Sequence, residues 1–414
     1  MVSDKELSDS QRITGKSARI QVVDGLRGFA LFGILLIHAK SWFDGGTVPD
    51  WVEQINHANA IHTFTKSVVY GLISGKFYTL FSFLFGLSFA LMVTRSKLPE
   101  RVFLRRFMWR LIILGLIGFI HNLHWRGDIL LIYAVVGFAL IPFRKASFSL
   151  ILICALFLVV NMPIRIKDIY THLTETAFSK AEGELTKKAF NKRIEANYQV
   201  FKHGSYWEVA RVNLDDLAVK IRYQRFSGNI FVTFGFFLFG LYAGRRQLFQ
   251  LIPQYLPLFR KLFLYSGLAM VTLYSLRILM KVITNPSFLM DYNYLYDLLV
   301  DSSNAAFTFF YLSAFTLLFY RYTQHFIVSY LASVGKMALT NYVLQSVFGT
   351  LVFYGYGLGL MGEIGAAWAV SLSLPFFIFQ LLMSHWWMSR FRYGPLEWIW
   401  RSATLLAFQP MLKQ

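Results

Sequence analysis

Apolar residues gather into repeated runs of roughly 18 to 25 residues, the length a helix needs to cross a bilayer. Ten such runs are read along the chain, at approximately 25–43, 68–94, 104–122, 128–143, 147–163, 228–245, 260–282, 300–320, 328–353 and 363–385. Pro142, Pro163, Pro253, Pro257 and Pro286 fall near the proposed ends, as helix punctuation should. The pattern predicts an all-α fold: a polytopic integral membrane helix bundle of about ten transmembrane helices. It divides the chain into an N-terminal segment 1–24, a first half-bundle 25–163, a long polar segment 164–227, a second half-bundle 228–385 and a tail 386–414. In the long segment, Ala177–Phe190 and Trp207–Ile221 have helical spacing of apolar positions. The segment reads either as a lid of amphipathic helices on the outer surface or as a packed connector.

Composition agrees. Of 414 residues, 56% are hydrophobic and 15% charged, against about half and a quarter in soluble domains. This excludes a disordered chain or a coiled coil. The net charge of +19 sits mostly in alternate short loops. One set holds Arg95, Lys97, Arg101, Arg105, Arg106, Arg144, Lys145, Arg245, Arg246, Arg260, Lys261, Arg321, Arg390, Arg392 and Arg401; the other holds little beyond Lys66, Arg126 and Lys281. Positive residues stay on the cytoplasmic side, so both termini are expected there and nucleic acid is not an expected partner. The polar first two dozen residues resemble no cleavable signal, and the first run is expected to act as an uncleaved anchor. The single cysteine, Cys154, excludes an internal disulfide and a multi-cysteine metal site. Trp386, Trp387, Trp398 and Trp400 read as an interfacial belt.

Candidate chemistry comes from polar residues the spans cannot hide, because charge in lipid is costly and usually faces the bundle interior. Asp24 and Arg27, three apart, can pair on one helix face. His38 follows Arg27 by 11 residues, three turns and about 16 Å along the same face. Arg27 also reads as a simple positive anchor and His38 as an interfacial histidine. Gly71, Gly75 and Lys76 suggest a break at the entrance to the second span, where Lys76 either binds an anion or snorkels to the interface. His121, His124 and Asp128 sit at i, i+3 and i+7, one face if the helix continues past Gly127. A histidine beside a carboxylate is the arrangement of an oriented general base, and the same set could instead hold a metal or be solvated; no metal is expected overall. His57 and His62 lie in the first outer loop, on the side where His38 and His121 emerge. Lys336, Thr340, Asn341 and Gln345 read first as hydrogen-bonding glue between helices. No phosphate-binding loop, nucleophile elbow or metalloprotease helix is found.

Six stretches carry a resemblance. They are Asp24-Gly-Leu-Arg-Gly-Phe-Ala-Leu-Phe-Gly-Ile-Leu-Leu36, Gly75-Lys-Phe-Tyr-Thr-Leu-Phe-Ser-Phe-Leu-Phe-Gly86 and Gly127-Asp-Ile-Leu-Leu-Ile-Tyr-Ala134 in the first half. The second half has Phe237-Leu-Phe-Gly-Leu-Tyr-Ala-Gly-Arg245, Val334-Gly-Lys-Met-Ala-Leu-Thr-Asn-Tyr-Val-Leu-Gln-Ser346 and Gly394-Pro-Leu-Glu-Trp-Ile-Trp-Arg401. On these the chain resembles the YeiB-like bacterial membrane proteins, a family of domains of unknown function, over nearly its whole length. That family is similar to a broader group of transmembrane acyltransferases, including the lysosomal heparan glucosamine acetyltransferase and bacterial sugar O-acyltransferases. The resemblance implies a multi-pass protein of the bacterial cytoplasmic membrane. It also implies that Asp24, Arg27 and Gly28 match the group's first-span start, and that His57 or His62 stands where the acetyltransferase has its catalytic histidine. YeiB-like proteins usually have asparagine where this chain has His38.

The expected function is transfer of an acyl group from cytoplasmic acyl-CoA, entering near Asp24, Arg27 and Lys76, to a hydroxyl or amine of a small molecule or glycan at the outer face. His121, or one of His38, His57 and His62, would be the base, with Asp128 orienting it and His124, Asn341 and Gln345 as supporting polar groups. The alternatives are an exporter of a small anionic metabolite or lipid, and a sensor or scaffold using the long outer segment. Membrane lipid is an expected partner, and self-association into a homo-oligomer is left open.

Overall fold

The computed structural model describes residues 20–43, 49, 59–174, 192–283, 293–323 and 325–413. Among these residues the regular structure is helical throughout, apart from an isolated antiparallel bridge between Phe391 and Leu412. The chain is an all-α, membrane-embedded bundle, and each proposed run falls on one or more helices.

Helix α1 (Gln21–Phe43) is the central post. Its Leu26, Ala30, Leu31, Leu35 and Ala39 are fully buried. The second run is α2 (Ala60–Val68), a π-helical turn (Val69–Ile73) and α3 (Phe77–Arg95), separated by a bend at Gly75 with φ of +83°. The break expected at Gly71–Lys76 is therefore present. Next come α4 (Glu100–His124), α5 (Leu130–Phe138) and the short α6 (Leu140–Phe143). Helices α7 (Phe148–Val159) and α8 (Met162–Thr174) meet at 48°.

A helical stretch over 192–203 leads to α9 (Tyr206–Asp215) and α10 (Leu217–Phe226), which meets α11 (Asn229–Arg245) at 68°. The two bends interlock. Asn161, between α7 and α8, donates from Nδ2 to the Ser227 carbonyl at 3.0 Å, and a Cβ on Gly228 would lie 2.0 Å from Asn161 Oδ1. The chain closes with α12 (Ile252–Ile283), α13 (Asn293–Arg321), α14 (Phe326–Lys336), α15 (Ala338–Phe353), α16 (Ala366–Arg390) and α17 (Pro395–Leu405).

One expectation needs correction. Residues 328–353 are two helices, α14 and α15, because Met337 leaves the helical region (φ −109°, ψ 36°). The Lys336–Thr340 spacing thus crosses a break. By length and apolarity five helices qualify as spans on their own among the described residues, or seven if each bent pair counts once, and the remaining proposed runs fall on other helices. In the C-terminal region, three of the four tryptophans donate their indole N–H to backbone carbonyls, Trp387 to Tyr393, Trp398 to Gln409 and Trp400 to Arg110. The predicted helix at Ala177–Phe190 lies outside the described residues; Trp207–Ile221 is helical but broken at Asp216.

Close crossings explain several glycines of the family-like stretches. Helix α14 crosses α1 so tightly that a Cβ on Gly335 would sit 1.8 Å from the Asp24 carbonyl oxygen, and one on Gly28 would sit 2.2 Å from that of Leu331. Helices α3 and α11 do the same through Gly86 and Gly240, each against the other's backbone. Backbone cannot move aside as a flexible side chain can. Gly335→Ala is therefore expected to destabilise by 1–3 kcal/mol, roughly, as overpacking does. Gly115→Ala, whose new methyl meets only the Ala134 Cβ at 3.5 Å, should be nearly neutral. Thermal unfolding of the two variants in detergent micelles checks the contrast.

Candidate active site

Helix α4 ends at His124 because Trp125 turns extended (φ −149°, ψ 121°). The chain then doubles back through Gly127, where any side chain would strike the Trp125 ring, into α5. His121, His124 and Asp128 therefore do not share one continuous helix face, as the spacing suggested. Instead the turn folds Asp128 back onto His121.

Asp128 Oδ1 lies 2.8 Å from His121 Nδ1. The same carboxylate accepts the free backbone N–H groups that open α5, Leu130 at 3.1 Å and Leu131 at 3.0 Å. A carboxylate is stabilised at a helix N-terminus by just such donors. On the other edge of the imidazole, His121 Nε2 lies 2.7 Å from Ser346 Oγ on α15. Asp128, His121 and Ser346 are all buried. A carboxylate has no proton to give, so Nδ1–H donates to Asp128 and the Nε2 edge is presented to the serine hydroxyl. This is the order acid–imidazole–hydroxyl of an activated nucleophile.

Aromatic rings surround the trio. His38 packs edge-on against Trp125 at 4.3 Å, and its centroid is 5.9 Å from that of Tyr342. His121 touches the same two rings at 6.1 and 5.1 Å. His38 and His121 thus converge from α1 and α4. Tyr342 donates its hydroxyl to the Gly127 carbonyl at 3.3 Å and accepts from Ile129 N–H at 3.2 Å, pinning α15 to the turn.

The polar segment closes over this end. Lys220 of α10 donates to the Asp128 carbonyl at 2.5 Å and to Asn122 Oδ1 at 2.7 Å. Asn213 of α9 donates to the Leu123 carbonyl at 3.0 Å, and Asn122 returns a bond to the Asn213 carbonyl at 3.3 Å. Lys202 is clasped by the carbonyls of Gly359 and Met361 and by Glu363 at 2.6 Å. Segment 192–226 is thus a packed cover whose contacts reach the turn that carries Asp128.

Tyr342 also lines a cavity of about 530 Å³, whose lining does not include His121, Asp128 or Ser346. Its floor is buried: Ile34, Tyr133 and Tyr342. Its mouth is basic. Arg95 and Arg401 line it and are exposed, with Arg27, Arg110 and Lys336 further in. Arg27 pairs with Asp24 at 2.8 Å, as the spacing predicted, and also donates to Ser88 at 2.6 Å. Arg110 lies flat on Trp400, 3.8 Å from the ring centre. Between mouth and floor the wall is apolar, with Phe81, Leu84, Phe107 and Leu114. One acid at the rim, Glu397, has a structural task. Its carboxylate accepts from the N–H groups of Leu339 and Thr340 and from the Thr340 hydroxyl, capping α15 across the break at Met337.

The remaining expected site residues fall elsewhere. Lys76 is buried but does not line the cavity; its ammonium donates to the Tyr70 carbonyl at 3.2 Å, with the Phe307 ring 5.2 Å away. It neither joins Arg27 nor snorkels to an interface. His62 accepts from Ala367 N–H at 3.3 Å, at the start of α16. His124 meets Thr350 at 3.0 Å rather than Asp128. Asn341 and Gln345 form an amide ladder with Gln380, tying α15 to α16 and, through the Leu31 carbonyl, to α1. That is the structural role their spacing suggested. His57 lies outside the described residues. No cluster of three or more metal-ligating side chains occurs among the described residues.

Comparison with known sequences gives the family. Residues 243–407 match the family described as "Protein of unknown function (DUF418)". The uncharacterized protein YxaH of Bacillus subtilis (strain 168) is 30% identical over 423 residues, which cover 96% of each chain. The chain belongs to this YeiB-like DUF418 family. A second member, the uncharacterized YeiB of Escherichia coli (strain K12), is 26% identical over 95% of this chain and 98% of its own length. An uncharacterized 39.9 kDa protein from the amylase 3′ region of Bacillus acidopullulyticus is 26% identical over 95% of this chain and 96% of its own. No solved structure matches. The DUF418 match contains Tyr342, Ser346 and Glu397 but not His121 or Asp128, so the site is assembled across the boundary of the matched region.

The Lys202 clasp makes a pH prediction for this family member. Hydrogen bonding to the Lys202 ammonium holds the Glu363 carboxyl below its ordinary value. A lowered folded-state value stabilises the protein above the unfolded carboxylate range and is lost as pH falls through the folded value. Thermal midpoints of the wild type are expected to drop from pH 7 to pH 4 by more than those of Glu363→Gln. The difference should be small, because the pair is solvent-screened.

Proposed function

We propose that this protein is an acyltransferase of the bacterial cytoplasmic membrane, with both termini cytoplasmic. It would move an acyl group from acyl-CoA to a hydroxyl or amine at or beyond the outer face. The observation that carries this reading is His121, held by Asp128 on one edge and aimed at a hydroxyl on the other, and packed on Tyr342, which lines an apolar cavity that also carries several cations.

The charge pattern supports the orientation. The cavity mouth lies at the Arg95 and Arg401 end, which the positive-inside bias puts in the cytoplasm. An apolar bore behind a ring of cations suits an amphipathic anion: phosphates at the rim, an acyl or thioester arm inside. Arg110, stacked on Trp400, and Arg401 are the groups best placed to meet phosphates. Arg27 is already paired to Asp24 and Ser88 and stiffens the wall instead.

Behind Tyr342, His121 would accept the proton of an attacking hydroxyl while Asp128 holds the imidazole and offsets its charge. The cover of α9 and α10 would seal the site from outer water and keep the electrostatic pull of Asp128 strong.

Two variant classes test the reading in membrane vesicles supplied with radiolabelled acyl-CoA. His121→Ala and Asp128→Asn are expected to lower transfer by about 10²- to 10⁴-fold, the worth of a positioned base, with little change in donor KM. Arg401→Gln is expected to raise donor KM and leave the maximal rate nearly unchanged. Passage of an unmodified anion across the membrane, with no acylated product, would support the exporter reading instead.

A further inference from the structure

We propose that Ser346 is the nucleophile and that transfer runs through an acyl-serine enzyme. The inference rests on the acyltransferase reading and adds a covalent step to it.

The 2.7 Å contact between Ser346 Oγ and His121 Nε2 is too short without a proton between the two atoms. With Nδ1–H committed to Asp128 at 2.8 Å, that proton is either the serine's own or the second proton of an imidazolium. In the second state the serine hydrogen turns to the Val343 carbonyl, 2.8 Å away. The geometry therefore accommodates both protonation states of the exchange with a single rotation of the hydroxyl. In the resting arrangement the hydroxyl beside His121 Nε2 is that of Ser346, which is fully buried.

Position along α15 supplies the route. Tyr342 is on the cavity floor, and Ser346 follows it by one turn on the same face, about 6 Å deeper. The Tyr342 ring, hung between Gly127 and Ile129, lines the cavity and packs on His121 with ring centroids 5.1 Å apart. Transfer through Ser346 requires that ring to swing aside to admit the donor.

The steps balance. Ser346 Oγ attacks the thioester carbonyl and its proton passes to His121 Nε2. The C–O bond forms, the C–S bond breaks, and the thiolate leaves with the proton from His121. The acceptor hydroxyl or amine then gives a proton to His121 and attacks the ester. Ser346 oxygen departs and recovers that proton. The acyl group thus changes sides of the Tyr342 floor while bound to one residue.

The test uses the purified full-length protein in nanodiscs, given acetyl-CoA or palmitoyl-CoA without acceptor and quenched with acid. In parallel, an alkyl fluorophosphonate reports serine activation independently of the acyl group. Peptide mapping is expected to find one acyl group on Ser346, stable to neutral hydroxylamine as an oxyester is. The fluorophosphonate should label the same peptide, and at least tenfold less in His121→Ala. Ser346→Cys should carry a hydroxylamine-labile thioester. Ser346→Ala should lose both labels and about 10³-fold or more of transfer, with an unchanged thermal midpoint. Transfer by Ser346→Ala at the wild-type rate, or acyl label confined to His121, overturns the acyl-serine while leaving the acyltransferase standing. Absence of transfer from both donors in the wild type, with Ser346 unlabelled by the fluorophosphonate, overturns both.

Discussion

The bond between His121 and Asp128 is the constraint on which the rest of the site hangs. It joins the end of α4 to the start of α5 across a turn, where the same carboxylate accepts the first N–H groups of α5. The other contacts elaborate that turn. Tyr342 fastens α15 to its Gly127 and Ile129, and Lys220 fastens α10 to its Asp128 carbonyl. Removing the carboxylate would strip an orienting partner from the imidazole, a cap from α5 and a negative neighbour from Lys220 together.

Around that point the bundle is arranged so that charge decreases with depth. Cations gather at the cavity mouth, where water or ligand can solvate them, and give way to apolar wall before the tyrosine floor. Buried polar groups of α15 and its neighbours meet specific partners in two sets: the amide ladder of Asn341, Gln345 and Gln380, in which Gln345 Oε1 alone is left without one, and the Asp128–His121–Ser346 chain. This is what a low-dielectric interior demands. The tight glycine crossings of α1 with α14 and α3 with α11 hold the walls close enough for single bonds to bridge them.

Much of this was legible because charge in an apolar run is expensive and stands out. Asp24 with Arg27, the break before Lys76, and His121 with Asp128 all announce themselves that way. Ser346 does not. A serine in a span costs little, since its hydroxyl can bond its own helix, as it does here to Val343; only the fold brings it across 225 residues to His121. Glu397 was equally hidden, because its capping of α15 joins groups 57 and 58 residues apart. The break at Met337 carries no proline and no positive-φ glycine, so periodicity alone joined α14 to α15. His62 and Lys76 show a further side of this: their polar atoms meet backbone partners that spacing does not announce, Ala367 N–H 305 residues away and the Tyr70 carbonyl six residues away.

A buried ion-pair chain can be merely structural, so the question is whether structure needs all three members. Asp128 has a structural task without His121, because two backbone N–H groups already hold its oxygens. Ser346 likewise has the Val343 carbonyl. The imidazole is the member that neither helix end nor hydroxyl requires. Placing it there takes a polar ring out of water, a cost that apolar packing of similar volume would avoid. Its value lies in what it can do with both edges engaged, which is to move a proton between an oxygen and itself while its charge is balanced. That capacity is chemical rather than architectural, and it is why the trio, and not the neighbouring amide ladder, is the one proposed as a reaction centre.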